Sequence, residues 1–130
     1  MHLALIAGMT NPKADELKAR TKRFALESLS VRRTLPATEA ADIGRQLSRS
    51  ATGVAANYRA ACRSRSDVEF IARIGVVLEE ADESAFWLEV VTESGLSKQP
   101  QALALLDEAN QLTAIFAASR ITAHRRSNLK

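Results

Sequence analysis

Four long stretches in which apolar residues recur at steps of three and four, with only short breaks between them, restrict this chain to helices packed on helices. Between Asp15 and about Thr34 the recurring positions are Leu17, Thr21, Phe24, Ser28 and Val31. Leu35-Pro36 ends that run, because proline disfavours helical geometry at the residue before it. From Thr38, a predicted N-cap, Ile43, Leu47, Ser50, Val54, Tyr58 and Ala61 share one face of a second helix reaching about Arg63. Ser66-Asp67-Val68-Glu69 fits the pattern in which a serine caps a backbone amide and a glutamate three residues on reaches back, so a third helix opens there. Phe70, Ile74, Val77, Leu78, Ala81, Ala85, Leu88 and Val91 mark its inner side to about Ser94, where Gly95 suits a left-handed C-terminal cap. After Pro100, Ala102, Leu105, Leu106, Ala109, Leu112 and Phe116 mark a fourth helix to about Thr122.

With 130 residues, five Gly and three Pro, the chain fits one domain with little turn punctuation. Short connections make consecutive helices antiparallel, which predicts an all-α, up-down-up-down four-helix bundle over residues 13–123. Residues 1–12 are expected to form a flexible N-terminal extension, with Met9-Thr10-Asn11-Pro12 reading like a second start, and residues 124–130 a basic C-terminal tail. The apolar opening Met1 to Gly8 lacks a basic leading region and is short for a signal peptide or a membrane span, which predicts a cytoplasmic protein with no membrane partner. The single Cys62 cannot form an internal disulfide, in keeping with a reducing compartment.

Few side chains offer catalysis. His2 and His124 both stand near a terminus, so a metal or nucleophile–base constellation is not expected, nor is a cofactor. Glu79, Glu80, Asp82 and Glu83 read as a solvated or interface-facing acidic surface, since a metal site in a bundle wants inward carboxylates with a Glu-x-x-His partner. Arg63 beside Cys62 could lower the thiol pKa, yet a structurally incidental thiol is the plainer reading. The chain is read as a non-enzyme.

Charge is unevenly shared. Residues 1–66 carry 12 Lys/Arg against 5 Asp/Glu, and residues 67–130 carry 6 against 10. At about 100° per residue, Arg45, Arg49, Thr52, Ala56, Arg59 and Arg63 form a stripe opposite Ile43, Leu47, Val54 and Ala61. Four guanidinium groups along roughly 27 Å of helix can follow a phosphate backbone, joined by Arg65 and, on the first helix, by Lys18, Lys22, Arg23, Arg32 and Arg33. Without interleaved aromatics, RNA or DNA would be held by its backbone with weak sequence preference. The alternative is a protein-interaction or scaffolding module, whose stripe meets acidic groups such as Asp82, Glu89 and Glu93 of another subunit or a partner. Phe86, Trp87 and Val90 lie outside the inner stripe of the third helix and are the predicted oligomer contact.

The order Gln46-Leu47-Ser48-Arg49-Ser50-Ala51, Val54-Ala55-Ala56-Asn57-Tyr58 and Ser66-Asp67-Val68-Glu69-Phe70-Ile71 resembles the four-helix-bundle proteins encoded in bacterial ribosomal-RNA intervening sequences. Those are similar in turn to the accessory variability protein of diversity-generating retroelements. The likeness continues through Leu78 to Ser84 and Trp87-Leu88-Glu89 and spans about residues 20–118. Asn57 stands at the family's Asn position, whereas Ala60 and Ala61 replace its usual Glu and Gly. The resemblance implies a homo-oligomer, a pentameric ring with a basic surface or pore. By its retroelement relatives it further implies binding to nucleic acid and to a reverse-transcriptase-type protein.

Overall fold

Asn11 opens the first helix: its side-chain oxygen accepts from the backbone N–H groups of Lys13 at 3.1 Å and Ala14 at 3.3 Å, and Pro12 takes the first helical position, where its missing N–H costs nothing. The computed structural model describes residues 11–128. Helix α1 (Pro12–Thr34) ends as its sequence requires, with Leu35 extended at ψ 147° before Pro36. Helix α2 (Ala41–Ala61) starts two residues later than a Thr38 cap would place it; its N-cap is Ala40, which offers no side-chain bond. Leu35 and Ala40 are both buried, and Ala40 N–H donates to Pro36 O at 3.0 Å, so the connection folds as a turn into the core before α2 begins.

Helix α3 (Asp67–Glu93) is capped by Ser66, whose hydroxyl accepts from Glu69 N–H at 3.1 Å, while the Glu69 carboxylate pairs at 3.0 Å with Arg73. Gly95, at φ 79°, takes the left-handed conformation after α3 that a side chain would strain. Helix α4 (Pro100–Asn128) runs past the expected end, so the residues read as a basic tail are helical as far as Asn128. The buried Ala123 continues the line of Ala109, Leu112 and Phe116 by two turns, and Arg125 and Arg126 suit the negative end of the helix dipole. Asn11 and Pro12 likewise belong to the bundle; the remainder of the predicted extension, residues 1–10, and of the tail, residues 129–130, lies outside the described residues.

The four helices pack in a ring, α1 on α2, α2 on α3, α3 on α4 and α4 back on α1, and no strand occurs among the described residues. Paired positions run in opposite senses: Arg32 Nη1 donates to Ser48 Oγ at 2.7 Å while the α1 start faces Cys62, and the hydroxyls of Ser50 and Ser84 meet at 3.0 Å while Arg73 donates to Ala60 O at 2.9 Å. The fold is the antiparallel four-helix bundle that the periodicity predicts. Phe24, Leu47, Val54, Ile74, Leu88, Leu105, Leu112 and Phe116 fill its centre with almost no exposure, and Tyr58 stacks obliquely on Phe116 at 5.2 Å. Buried hydroxyls are accommodated by bonding back along their own helices, as when Ser28 donates to Phe24 O at 2.8 Å.

Candidate functional site

Small residues on the facing flanks of α1 and α2 leave an open groove of ≈ 830 Å³ between the two helices. Buried Ala14, Ala25 and Cys62 with half-buried Ala55 form its bottom, and Ala19, Thr52 and Ala56 stand higher on the walls. Above these methyl groups rise Lys18 and Lys22 on α1, Arg59 in the last turn of α2, and Arg63 in the turn that follows. Asp15, the one acidic residue of the lining, pairs with Lys18 at 3.2 Å. Lys22, Arg23, Arg59, Arg63 and Arg65 are exposed, and none of them forms an ion pair among the described residues. A smaller hollow at the α1–α2 connection is bordered by Arg32, Arg33 and Arg45.

The arginine stripe of α2 is exposed along its length but divides into two chemically distinct halves. Arg45 pairs with Asp42 one turn back. Arg49 is held between two carboxylates of α3, in direct contact with Glu83 and 3.6 Å from Glu80. Glu80 can approach because Gly53 has no side chain: a Cβ there would stand 3.0 Å from the carboxyl carbon. Burial pushes the Glu80 carboxyl above the ordinary glutamate range; Arg49 opposes this shift, and Glu83 and Glu79 add to it. The sequence pattern places Arg49 on the outward face correctly, but its neutralisation depends on the α2–α3 packing.

Cys62 lies at the groove bottom, and its thiol is raised rather than lowered. Burial is the dominant cause; the hydrogen bond with Tyr58 and the charge of Lys18 act the other way without overcoming it. This corrects the activated-thiol alternative drawn from the adjacent Arg63, whose guanidinium takes no part in the shift. Tyr58 is itself pushed far up, by burial first and Cys62 second, so both groups stay protonated at neutral pH.

On α3, Phe86 is 52% exposed and meets Trp87 edge-on at 4.9 Å, with Val90 half-buried and Val76 exposed on the same helix. The indole N–H of Trp87 donates to Glu83 at 3.4 Å. Residues 74–97 carry six Asp/Glu and no Lys/Arg, so this face is acidic as well as apolar. Among the described residues no group of three or more His, Cys, Asp or Glu is placed to hold a metal ion, and no helix is long and apolar enough to cross a membrane.

Of the residues read from sequence as a basic stripe and patch, Thr52, Ala56, Arg59, Arg63, Lys18 and Lys22 line the groove; the groove itself is not visible in the pattern. Ala14, Ala19 and Ala25 alternate with Lys18 and Lys22 at helical spacing, a small-and-basic flank that could have been read as the facing wall. The link between Arg20 and Glu108 has no signal in the sequence pattern; Arg20 Nε and Nη2 donate to the two carboxylate oxygens at 2.7 and 2.6 Å, tying α1 to α4.

The fold places the chain in the class of small antiparallel four-helix bundles, and comparison with known proteins narrows it. The family model of the 23S rRNA-intervening sequence protein matches residues 15–118, and the chain belongs to that family. A solved structure of a protein with unknown function from the S23 ribosomal protein family, from Bacteroides thetaiotaomicron, is similar in fold, with a TM-score of 0.72. That likeness has 23% sequence identity over 79% of this chain and 96% of the other. No match was found among curated proteins.

Proposed function

We propose that this protein is a non-enzymatic nucleic-acid-binding bundle that takes phosphate backbones at the groove between α1 and α2. The observation that carries the reading is the set of cations around that groove: Lys22, Arg59 and Arg63, without ion-pair partners among the described residues, with Lys18 beside them. Unpaired guanidinium groups in the last turn of α2 and just past it are ready to form bidentate bonds to phosphate, and a floor of methyl groups lets a sugar–phosphate chain approach closely. Arg23 and Arg65 extend the positive field on either side. Arg45 and Arg49 contribute less, because a phosphate must first displace Asp42 or the Glu80–Glu83 pair. The contacts are to backbone, so sequence preference is weak.

Fluorescence anisotropy of labelled nucleic acid against salt tests this reading. Wild type is expected to bind at low salt and to weaken steeply as salt rises, whereas the Lys22→Ala, Arg59→Ala, Arg63→Ala triple variant loses most of the binding while keeping its helical content. Wild type that fails to bind at low salt would overturn it.

A second reading, assembly, is favoured by the exposed Phe86 and Val76 on α3. The Phe86, Trp87 and Val90 face is proposed to meet another copy of the chain, since an apolar patch of this kind is unfavourable in water. Phe86→Glu is expected to lower the sedimenting mass. An unchanged mass, or a wild type that is already a monomer at micromolar concentration, would rule that contact out.

A further inference from the structure

We infer that the nucleic acid seated in the α1–α2 groove is a duplex, held along one of its phosphodiester strands, and not a single strand; the inference rests on the phosphate-binding reading above.

The placement of the aromatic side chains points this way. Phe24, Tyr58 and Phe116 are buried in the core, Phe70 is half-buried against it, and Phe86 and Trp87 stand among carboxylates on α3. All six aromatic residues of the chain are thereby placed, and none borders the groove. Proteins that hold single strands draw much of their affinity from stacking bases on such rings, and here the bottom of the groove offers methyl groups and a thiol instead. A single strand laid there would be ordered without that return.

The cations are arranged for a straight, densely charged rod. Lys18 and Lys22 stand on one wall, four residues apart or about 6 Å along the α1 axis, and face Arg59 in the last turn of α2 and Arg63 in the turn that follows it. Lys18 and Lys22 are held in line by a regular helix, and Arg59 by the last turn of α2, with Arg63 just past its end. A duplex presents one charge per about 1.7 Å of axis, twice the density of one of its strands, so a fixed set of cations meets a stronger field on a duplex. Four phosphates neutralised per groove correspond to a slope of about −3.6 in log affinity against log salt for duplex DNA. Because Asp15 already pairs with Lys18, the slope expected is about −3.

The test compares a short DNA duplex and a short RNA duplex with their separated, non-self-pairing strands, by anisotropy across a salt series, in wild type and in the Lys22→Ala, Arg59→Ala, Arg63→Ala variant. Each duplex is expected to bind about tenfold more tightly than its strands at low salt, and the variant to lose this preference together with most of the salt slope. Strands that bind as tightly as the duplexes would overturn the duplex inference while leaving the phosphate-binding reading standing. Absence of binding by every probe at low salt would remove that reading and this inference with it. A duplex preference that survives in the variant would place the preference outside the groove and overturn the assignment made here.

Discussion

The carboxylate of Glu80 lies over Gly53 of α2, with one oxygen buried and 3.6 Å from an Arg49 nitrogen, too far for a hydrogen bond. Burial holds its proton to a higher pH than in the unfolded chain, where the group ionises in the ordinary glutamate range. Between the two ranges the folded state binds more protons, so this group's effect is a loss of stability as pH rises through that window and a constant level above it. Glu80→Gln is therefore expected to be more stable than wild type at neutral pH and to lack that part of the pH dependence. Denaturant unfolding at a series of pH values measures both, and a less stable variant at neutral pH would mean that the pairing with Arg49 outweighs desolvation. Ser64, in the α2–α3 turn, is fully buried with a hydroxyl that has no hydrogen-bond partner among the described residues. Removing it should relieve an unmet desolvation, and Ser64→Ala is expected to raise stability by about 1 kcal/mol in thermal or denaturant unfolding. Neither environment is visible in sequence, because each depends on what a neighbouring helix brings to that point.

Of its two packed neighbours, α1 meets α4 more lightly than α2, and the two-point bond between Arg20 and Glu108 is the main polar tie between α1 and α4. Gln111 adds a further acceptor to Arg20 at 2.9 Å. The hydrogen bond to Glu108 raises the Arg20 guanidinium further above its usual value, as a close partner does. A double-mutant cycle on Arg20→Ala and Glu108→Ala is expected to give a coupling of about 1 kcal/mol, the upper end for a partly exposed pair with good geometry. A coupling near zero would mean that apolar packing alone holds α1 against α4. Helix ends were legible wherever one residue decides them: Pro36 stops α1, Ser66 caps α3, and Gly95 turns the chain after α3. They were not legible where packing decides them. Thr38 has the chemistry of a cap, yet burial of Leu35 and Ala40 sets the start of α2, and Ala123 draws α4 beyond the last large apolar residue of its stripe.

At the scale of the whole molecule, the apolar periodicity carries the four-helix topology, because each helix has one face that needs covering and the connections are too short for any other order. The functional surface is less directly encoded. The charge asymmetry between the two halves of the sequence becomes a basic α1–α2 side and an acidic α3 side, but packing also joins the two at Arg49, Glu80 and Glu83 and so takes one arginine out of the free stripe. What remains accessible gathers at the end of the groove near Arg59 and Arg63, together with α1 residues that a helix-two pattern alone does not contain. Under the proposed function this groove, and not the acidic face, receives the phosphate backbone. Amide chemical-shift mapping of the isotope-labelled protein during titration with a short duplex tests it most directly. Shifts are expected to concentrate around Lys18, Lys22, Arg59 and Arg63 and to fade as salt is raised, with the amides of Phe86 to Val90 unmoved; shifts centred on α3 with a silent groove would refute phosphate binding at the groove.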